Sequence, residues 1–283
     1  MKNILIIPNT QKDRDFSVSS KVASVLRSYG MSVFVEERYN TDFDGNASVI
    51  AAIDEKIELI VVIGGDGSVI DASVPAVSYG IPVLGVNLGH LGYLAEVELS
   101  NLSVLEKLTS GEYTIEDKML LSVTATDDGE LVQSARFAVN DVIISHESYV
   151  GLAELKMRVN DGESVRYRAD GLILSTPVGS TAYSLSAGGP IIAHDIDSIV
   201  ATPICPHSFF NRSVIFNPKD VLTLYNEGDS VLNVTVDGRF FIKLSPGGQC
   251  FVRMSDKKFK MLTFSENNMF ATLFGKMKKI ENI

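Results

Sequence analysis

The sequence predicts an α/β protein in two parts, an N-terminal domain on a parallel sheet and a β-rich C-terminal domain. Three observations predict it. Up to about Asp117, short β-branched runs alternate with amphipathic segments in the order of βα units. From Lys118 to about Arg253, strand-like runs alternate with turn signals. A composition of 45% hydrophobic and 21% charged residues over 283 positions is that of a chain with buried cores, which excludes general disorder.

In chain order, the short apolar run Ile4–Ile7 reads as a strand, since no small-residue cleavage site of a secretory leader follows it. Phe16–Tyr29 has helical amphipathicity, and Met31–Val35, Leu59–Ile63 and Ile81–Val86 are further strands. The unbroken run Leu59-Ile60-Val61-Val62-Ile63 suits a parallel strand covered on both faces. A helix is expected after Gly67, with Pro75 costing about 3 kcal/mol at a central position and predicting a kink or an early end. Beyond Lys118 the runs Met119–Thr126, Arg136–Ser145, Leu152–Val159 and Val231–Val236 are strands. They are punctuated by Asp127-Asp128-Gly129, Asn160-Asp161-Gly162 and Asn226-Glu227-Gly228-Asp229. Met269, Phe270, Leu273, Phe274 and Met277 fall at helical spacing and predict a closing helix over Asn267 to Lys279. The expected divisions are 1–117, 118–253 and a C-terminal segment 254–283, with no internal repeat or flexible linker.

A formal charge of −10 repels phosphate backbones and anionic lipid, so nucleic acid and membranes are excluded as main partners. No run approaches the roughly 18 apolar residues of a bilayer span. Cys205 and Cys250 fit neither a disulfide framework, a metal knuckle nor a redox pair. A reducing, cytoplasmic compartment is expected.

Gly64-Gly65-Asp66-Gly67-Ser68 directly follows the strand Leu59–Ile63. Without Cβ atoms, such a loop lets a ligand phosphate approach the backbone and meet several N–H donors at a helix start. A carboxylate there repels a bare phosphate, so Asp66 is better suited to accept a proton from a hydroxyl or to partner bound Mg²⁺. The plain alternative is a tight turn with Asp66 capping the next helix. Gly-x-Gly-x-x-Gly is absent, and Gly275-Lys276 lacks the following hydroxyl and glycine-rich loop of a P-loop, so neither a Rossmann dehydrogenase nor a P-loop kinase is supported.

Asn87-Leu88-Gly89-His90-Leu91-Gly92-Tyr93 follows Ile81–Val86 and is expected at the same sheet edge, where loops at strand carboxyl ends make the ligand crevice. Its plain alternative is a connector, with His90 structural. A third cluster joins Arg168-Ala169-Asp170-Gly171 to the run from Ser175 through Thr181, Ala182, Tyr183, Ser184, Leu185 and Ser186 to Pro190. It offers N–H and O–H donors and, at Tyr183, a flat face for a ring to stack on. A bare Ser/Thr/Gly loop is the alternative. Asn140-Asp141, closing the strand Arg136–Val139, offers an amide and a carboxylate suited to ribose hydroxyls or an adenine edge, or is a turn. Asp237-Gly238 reads most simply as a hairpin turn. Arg166, Arg168, Arg212 and Arg239 are candidates to compensate an anionic ligand.

In combination these segments resemble the NAD kinase family. Gly64-Gly65-Asp66-Gly67, Asn87-x-Gly-x-Leu-Gly-Tyr, Asn140-Asp141, Asp170-Gly171, Ser175-Thr-Pro-x-Gly-Ser-Thr-Ala-Tyr-Ser and Pro203-Ile-Cys-Pro-His-Ser208 stand in the family's order and approximate spacing. The resemblance implies phosphoryl transfer from ATP, or in some members polyphosphate, with a divalent cation such as Mg²⁺, to the 2′-hydroxyl of the adenosine ribose of NAD, giving NADP. It implies that Asp66 is the proton acceptor. It places NAD on Asp66, Gly67, Asn140, Asp141, Arg168, Asp170 and Thr181 to Ser186, and phosphate on Gly64, Gly65, Gly67 and Ser68, while metal ligands stay unassigned. It also implies a homodimer or homotetramer in which the Asp170 segment reaches a neighbouring subunit's site. The chain departs from the commonest family pattern at Ser68 for Thr, Asp141 for Glu and Lys118 for Arg, and is atypical at Ser145–Gly151 and Arg239. Two rivals are a lipid or sphingoid kinase, which shares Gly-Gly-Asp-Gly but is separated by the Gly-Ser-Thr-Ala-Tyr block, and a non-catalytic NAD-binding regulator.

Overall fold

The computed structural model describes residues 1–39, 47–89, 92–127, 130–147, 151–207, 211–264 and 273–274. The chain divides into two compact units, Met1–Asp117 with Phe259–Ile283, and Lys118–Lys258.

The first unit opens with β1 (Asn3–Pro8), α1 (Ser17–Ser28), β2 (Ser32–Glu36), β3 (Ser48–Ile50), β4 (Leu59–Gly64), α2 (Asp66–Tyr79) and β5 (Val83–Asn87). Ser19, Val22, Ala23 and Leu26 form the buried stripe of α1, the i, i+3, i+4, i+7 spacing of a helix with one face on a core. The start of α1 is held by Asp13, whose carboxylate accepts the N–H groups of Val18 and Ser19 and the Ser19 hydroxyl. Every residue of β4 is buried, as its unbroken apolar run requires of a central parallel strand. Helix α2 starts at Asp66 and runs through Pro75 to Tyr79, ending on Gly80 at φ 70°. The early end expected from Pro75 does not occur. Burial of Val69, Ala72, Ala76 and Val77 on one face outweighs the loss of one backbone N–H. Short elements follow: β6 (Val97–Glu98), a 3₁₀ stretch Leu99–Glu106, α3 (Lys107–Ser110) and β7 (Thr114–Lys118).

The second unit is all but wholly β. Its strands are β8 (Leu121–Asp127), β9 (Glu130–Ala138), β10 (Asp141–His146), β11 (Ala153–Val159), β12 (Ser164–Ala169), β13 (Gly171–Ser175), β14 (Ile199–Ile204), β15 (Val214–Phe216), β16 (Val221–Asn226), β17 (Leu232–Val236), β18 (Arg239–Leu244) and β19 (Gln249–Met254), with the four-residue helix α4 (Tyr183–Ser186) before β14. Two antiparallel six-stranded sheets result, β15-β14-β13-β10-β17-β18 and β12-β11-β16-β19-β8-β9. Their inward residues, among them Val123, Leu155, Leu224 and Val252 from one sheet and Val142, Ile144, Leu172 and Val234 from the other, form one core. The run Arg136–Ser145, read as a single strand, is two: β9 ends at Ala138, and Val139-Asn140 carries the chain into the other sheet.

After β19 the chain returns to the first unit as β20 (Phe259–Thr263), which pairs parallel with β5. The first sheet thus reads β3-β2-β1-β4-β5-β20-β7, with β6 beside β5. The segment set apart as 254–283 is therefore in part a strand of the N-terminal sheet. Of the expected closing helix, Leu273 and Phe274 are helical, and the rest lies outside the described residues. So do His90, Leu91, Ser208 and the turn residues Asp128 and Gly129. Among the described residues no helix is long and apolar enough to cross a membrane.

Candidate active site

In the first sheet the order turns at β1: β2 and β3 lie to one side, β4 and β5 to the other. Open parallel sheets bind ligands outside the strand carboxyl ends at such a switch point, and here that edge carries Asn9, the Gly64–Ser68 loop and Asn87-Leu88-Gly89. The backbone is drawn tight. Asn9 N–H donates to Ile63 O at 2.9 Å, and Leu88 N–H to Gly64 O at 3.0 Å.

Asp66 stands in the first turn of α2, yet its side chain does not cap that helix. Its carboxylate accepts three backbone N–H groups from the segment after Gly92: Tyr93 on Oδ2 at 2.8 Å, and Leu94 and Ala95 on Oδ1 at 2.9 and 3.1 Å. The two glycine-rich segments are thus joined through one carboxylate, as their shared sheet edge predicts. Gly92 is required by this closeness, because a Cβ there would lie 1.9 Å from Asp66 Oδ1. A carboxylate has about four lone-pair directions, two per oxygen. Both on Oδ1 are taken and one on Oδ2 is open, so Asp66 retains one acceptor position. Burial, and secondarily the negative charge of Asp66, pushes the Tyr93 phenol up.

In the second unit, Asn140 and Asp141 sit where the chain crosses between sheets, and what holds them is Asp237. This residue and Gly238 make the β17–β18 turn with φ of 49° and 72°, the paired positive values that an Asp-Gly hairpin turn uses. The turn reading was incomplete, because the Asp237 carboxylate also accepts the N–H groups of Val139, Asn140 and Asp141 at 2.9, 2.7 and 3.1 Å. Burial raises Asp237 above the usual carboxylate range, against these three donors. Asp141 is only 4% exposed, and burial, then the charge of Asp237, pushes it up to about 7. The three N–H donors favour the ionised form of Asp237, so of the two carboxyls Asp141 is the more readily protonated.

The Ser175–Ser186 run is stitched to the same corner. Thr176 N–H donates to Asn140 O at 2.9 Å, and its hydroxyl to Val139 O at 2.6 Å while accepting Gly179 N–H. Gly179 lies so close that a Cβ would stand 2.0 Å from Asn140 O, which is backbone and cannot yield. Gly179→Ala is therefore expected to destabilise the chain by about 3 kcal/mol, read as a lowered denaturant midpoint. Ser180 and Ser184 are buried and spend their hydroxyls internally, on Pro177 O and on Thr202. Tyr183 and Leu185 are 45% and 37% exposed and present side chains outward, leaving them, rather than Ser184, open to a ligand.

Arg168 and Asp170 are not part of this corner. Asp141 pairs with Ser175 at one end of the β10–β13 ladder and Ser145 with Gly171 at the other, about 14 Å away at the usual strand rise. Arg168 there pairs with Glu154 at 3.1 Å, and Asp170 lies 3.8 Å from His146. Arg166 is bound to Glu227. Sequence reasoning missed the bracing roles of Asp237 and Asn9. The first was hidden by a sufficient turn explanation, and the second was detectable as the residue ending the strand beside β4.

The chain is matched over residues 4–113 by the model of the ATP-NAD kinase N-terminal domain and over 139–264 by that of the C-terminal domain. It is 35% identical over 281 residues to an NAD kinase of Caldanaerobacter subterraneus subsp. tengcongensis, covering 98% of this chain and 99% of that one. It is 34% identical over 281 residues to an NAD kinase of Geobacter sulfurreducens, again with 98% and 99% coverage. Among solved structures, a yeast NADH kinase complexed with NADH superimposes with a TM-score of 0.83 at 26% identity, over 96% of this chain and 85% of that one. An NAD kinase from Archaeoglobus fulgidus in complex with ATP shares the fold, with a TM-score of 0.71 at 21% identity over 98% and 99% of the two chains. The parallel-sheet unit bearing Asp66 and the β-rich unit bearing Asn140-Asp141 are accordingly the two domains of a phosphotransferase, and the chain belongs to the NAD kinase family.

Proposed function

We propose that the chain transfers the terminal phosphoryl group of ATP, or of polyphosphate, to the 2′-hydroxyl of the adenosine ribose of NAD, giving NADP, with Asp66 as proton acceptor. The observation that carries this reading is the single open acceptor position on Asp66 Oδ2, held in place by three backbone donors at the edge of a glycine loop. The ribose 2′-oxygen gives its proton to Oδ2 as the bond to the terminal phosphorus forms. The bond from that phosphorus to the bridging oxygen breaks, and ADP leaves with its electron pair. Because phosphoryl transfer has a loose transition state, alignment and electrostatics carry most of the acceleration, and the base about 10²–10⁴-fold of it. Gly64, Gly65, Gly67 and Ser68 present the phosphate-facing backbone at the start of α2.

Asn140, Asp141 and the Thr181–Ser186 segment hold NAD, with Tyr183 and Leu185 supplying exposed apolar surface to it. Arg168 and Asp170 stand at the far end of β13, which supports their serving the site of a neighbouring subunit in a homodimer or homotetramer. Among the described residues no group of three or more His, Cys, Asp or Glu side chains is placed to hold a metal ion. Mg²⁺, when bound, would supply neutralisation of charge on the phosphates of the donor. The reading places the enzyme in the cytoplasm.

The test is direct. Purified protein with Mg²⁺ is given NAD or NADH, with ATP or polyphosphate in turn, and NADP(H) is measured. Formation of NADP is expected. No product with either donor, alongside labelling of diacylglycerol, would overturn the reading in favour of a lipid kinase.

A further inference from the structure

The loop between β1 and α1 is tied to the glycine loop by one side chain. Asn9 Nδ2 donates to Ser68 Oγ at 2.8 Å, while Asn9 Oδ1 accepts the backbone N–H groups of Gln11 and Lys12, each at 3.0 Å. All of the hydrogen-bonding groups of Asn9 but one amide hydrogen are thus engaged. Two consequences follow from the direction of these bonds. Because Ser68 Oγ accepts from Asn9, its own hydroxyl hydrogen is free to donate elsewhere. Because Lys12 is folded back onto Asn9, a single amide group separates its backbone from the first turn of α2, within the span of a lysine's four-carbon stem.

Lys12 is exposed and, among the described residues, forms no ion pair. Of the cations near this edge, Arg38 is neutralised by the Glu36 carboxylate, and Arg14 is anchored through Nε to Gln11 O with its charge retained. In a chain of net charge −10, with Asp66 in the loop itself, a polyanionic donor needs a local cation.

We propose that Lys12 and the Ser68 hydroxyl bind the terminal phosphates of the phosphoryl donor, and that Asn9 is the positioning residue that sets both. This rests on the reading above that the glycine loop receives the donor. The informative variant is Asn9→Asp. Its carboxylate still accepts the Gln11 and Lys12 N–H groups, so the turn survives, but it must take the Ser68 hydroxyl hydrogen, removing that donor and adding a negative charge. Lys12→Gln removes the cation alone.

The KM for ATP is expected to rise about tenfold or more in each variant, as for the loss of a charge-assisted hydrogen bond. The KM for NAD and the thermal midpoint are expected to stay near native values, and Asn9→Ser, whose shorter side chain lets go of Ser68 without adding a charge, is expected to fall between the native chain and Asn9→Asp. Binding of ATP without NAD, followed calorimetrically, reads the same contacts apart from turnover. Unchanged ATP affinity and KM in both variants, or an equal rise in both substrates' KM, would overturn the proposal. If the native chain bound ATP, and the variants bound it weakly, while no NADP formed, the function proposed above would fail and this assignment would stand.

Discussion

An Asp66→Asn variant is expected to turn over NAD about 10²–10⁴-fold more slowly than the native chain while still binding it. Two effects separate in this variant. The amide oxygen can keep the Leu94 and Ala95 N–H groups, but the amide nitrogen then faces Tyr93 N–H, setting donor against donor where Oδ2 now accepts at 2.8 Å. An unmatched donor of this kind costs about 1–3 kcal/mol, visible as a lowered denaturant midpoint. It does not by itself account for the turnover loss, which on the proposed role of Asp66 comes from removing the acceptor for the ribose proton. Gly92→Ala tests the complementary case. Its Cβ would lie 1.9 Å from Oδ1, so the carboxylate is retained but expelled from its seat, and turnover falls although a base is present. If Asp66→Asn turned over near the native rate with NAD bound, Asp66 would be a brace between the two glycine segments and nothing more.

The parts of the fold that were legible in the sequence are those where one local pattern decides the outcome. Leu59–Ile63 is apolar at every position, and only a strand covered on both faces buries it completely. The α1 stripe is equally explicit. Helix α2 passing Pro75 was not legible, because the packing that outweighs the lost hydrogen bond involves β4 and β5. By its apolar pattern the run Arg136–Ser145 reads as one strand, because the residues on both sides of the break are apolar, and only Asn140-Asp141 marks an end near Val139. The break is made by a carboxylate about a hundred positions later, Asp237, bonded to Val139, Asn140 and Asp141. An Asp-Gly turn already has a sufficient local reason, so its second role leaves no local trace. Asn9 is likewise an ordinary residue until β1 and β4 are known to be neighbours. The glycine-rich and Ser/Thr-rich clusters, by contrast, were visible through composition alone, since close backbone approach excludes most side chains. Gly92 and Gly179 occupy two such approaches.

The stability of the chain is expected to fall as pH rises from about 4 to about 7, the reverse of the usual behaviour of paired surface carboxylates, and Asp141 is the cause. Burial, followed by the charge of Asp237, raises this carboxyl from 3.8 to about 7 in the folded chain. Between those values the folded state holds a proton that the unfolded state has released, so raising the pH favours unfolding. The contribution is fully present below the unfolded value and is lost as pH passes through about 7, above which the curve is flat. At about 1.4 kcal/mol per unit, the whole effect is about 4 kcal/mol, and the upward shift of Asp237 acts in the same sense. An Asp141→Asn variant keeps the shape and carries no charge at any pH. Its stability relative to the native chain should therefore increase steadily across this window, read from denaturant midpoints at pH 5, 6, 7 and 8. Exposed groups such as Glu58 and Glu227, held low by hydrogen bonds, are common to both chains and cancel in the difference. A parallel pair of stability curves would mean that Asp141 is ionised in the folded chain throughout. On the proposed reading that a ribose hydroxyl of NAD donates to Asp141, the same linkage reaches the ligand: that bond favours the carboxylate form, so NAD binding near pH 6 should release a proton to the buffer. Calorimetry in two buffers of different ionisation enthalpy would show that release in the native chain and its absence in Asp141→Asn.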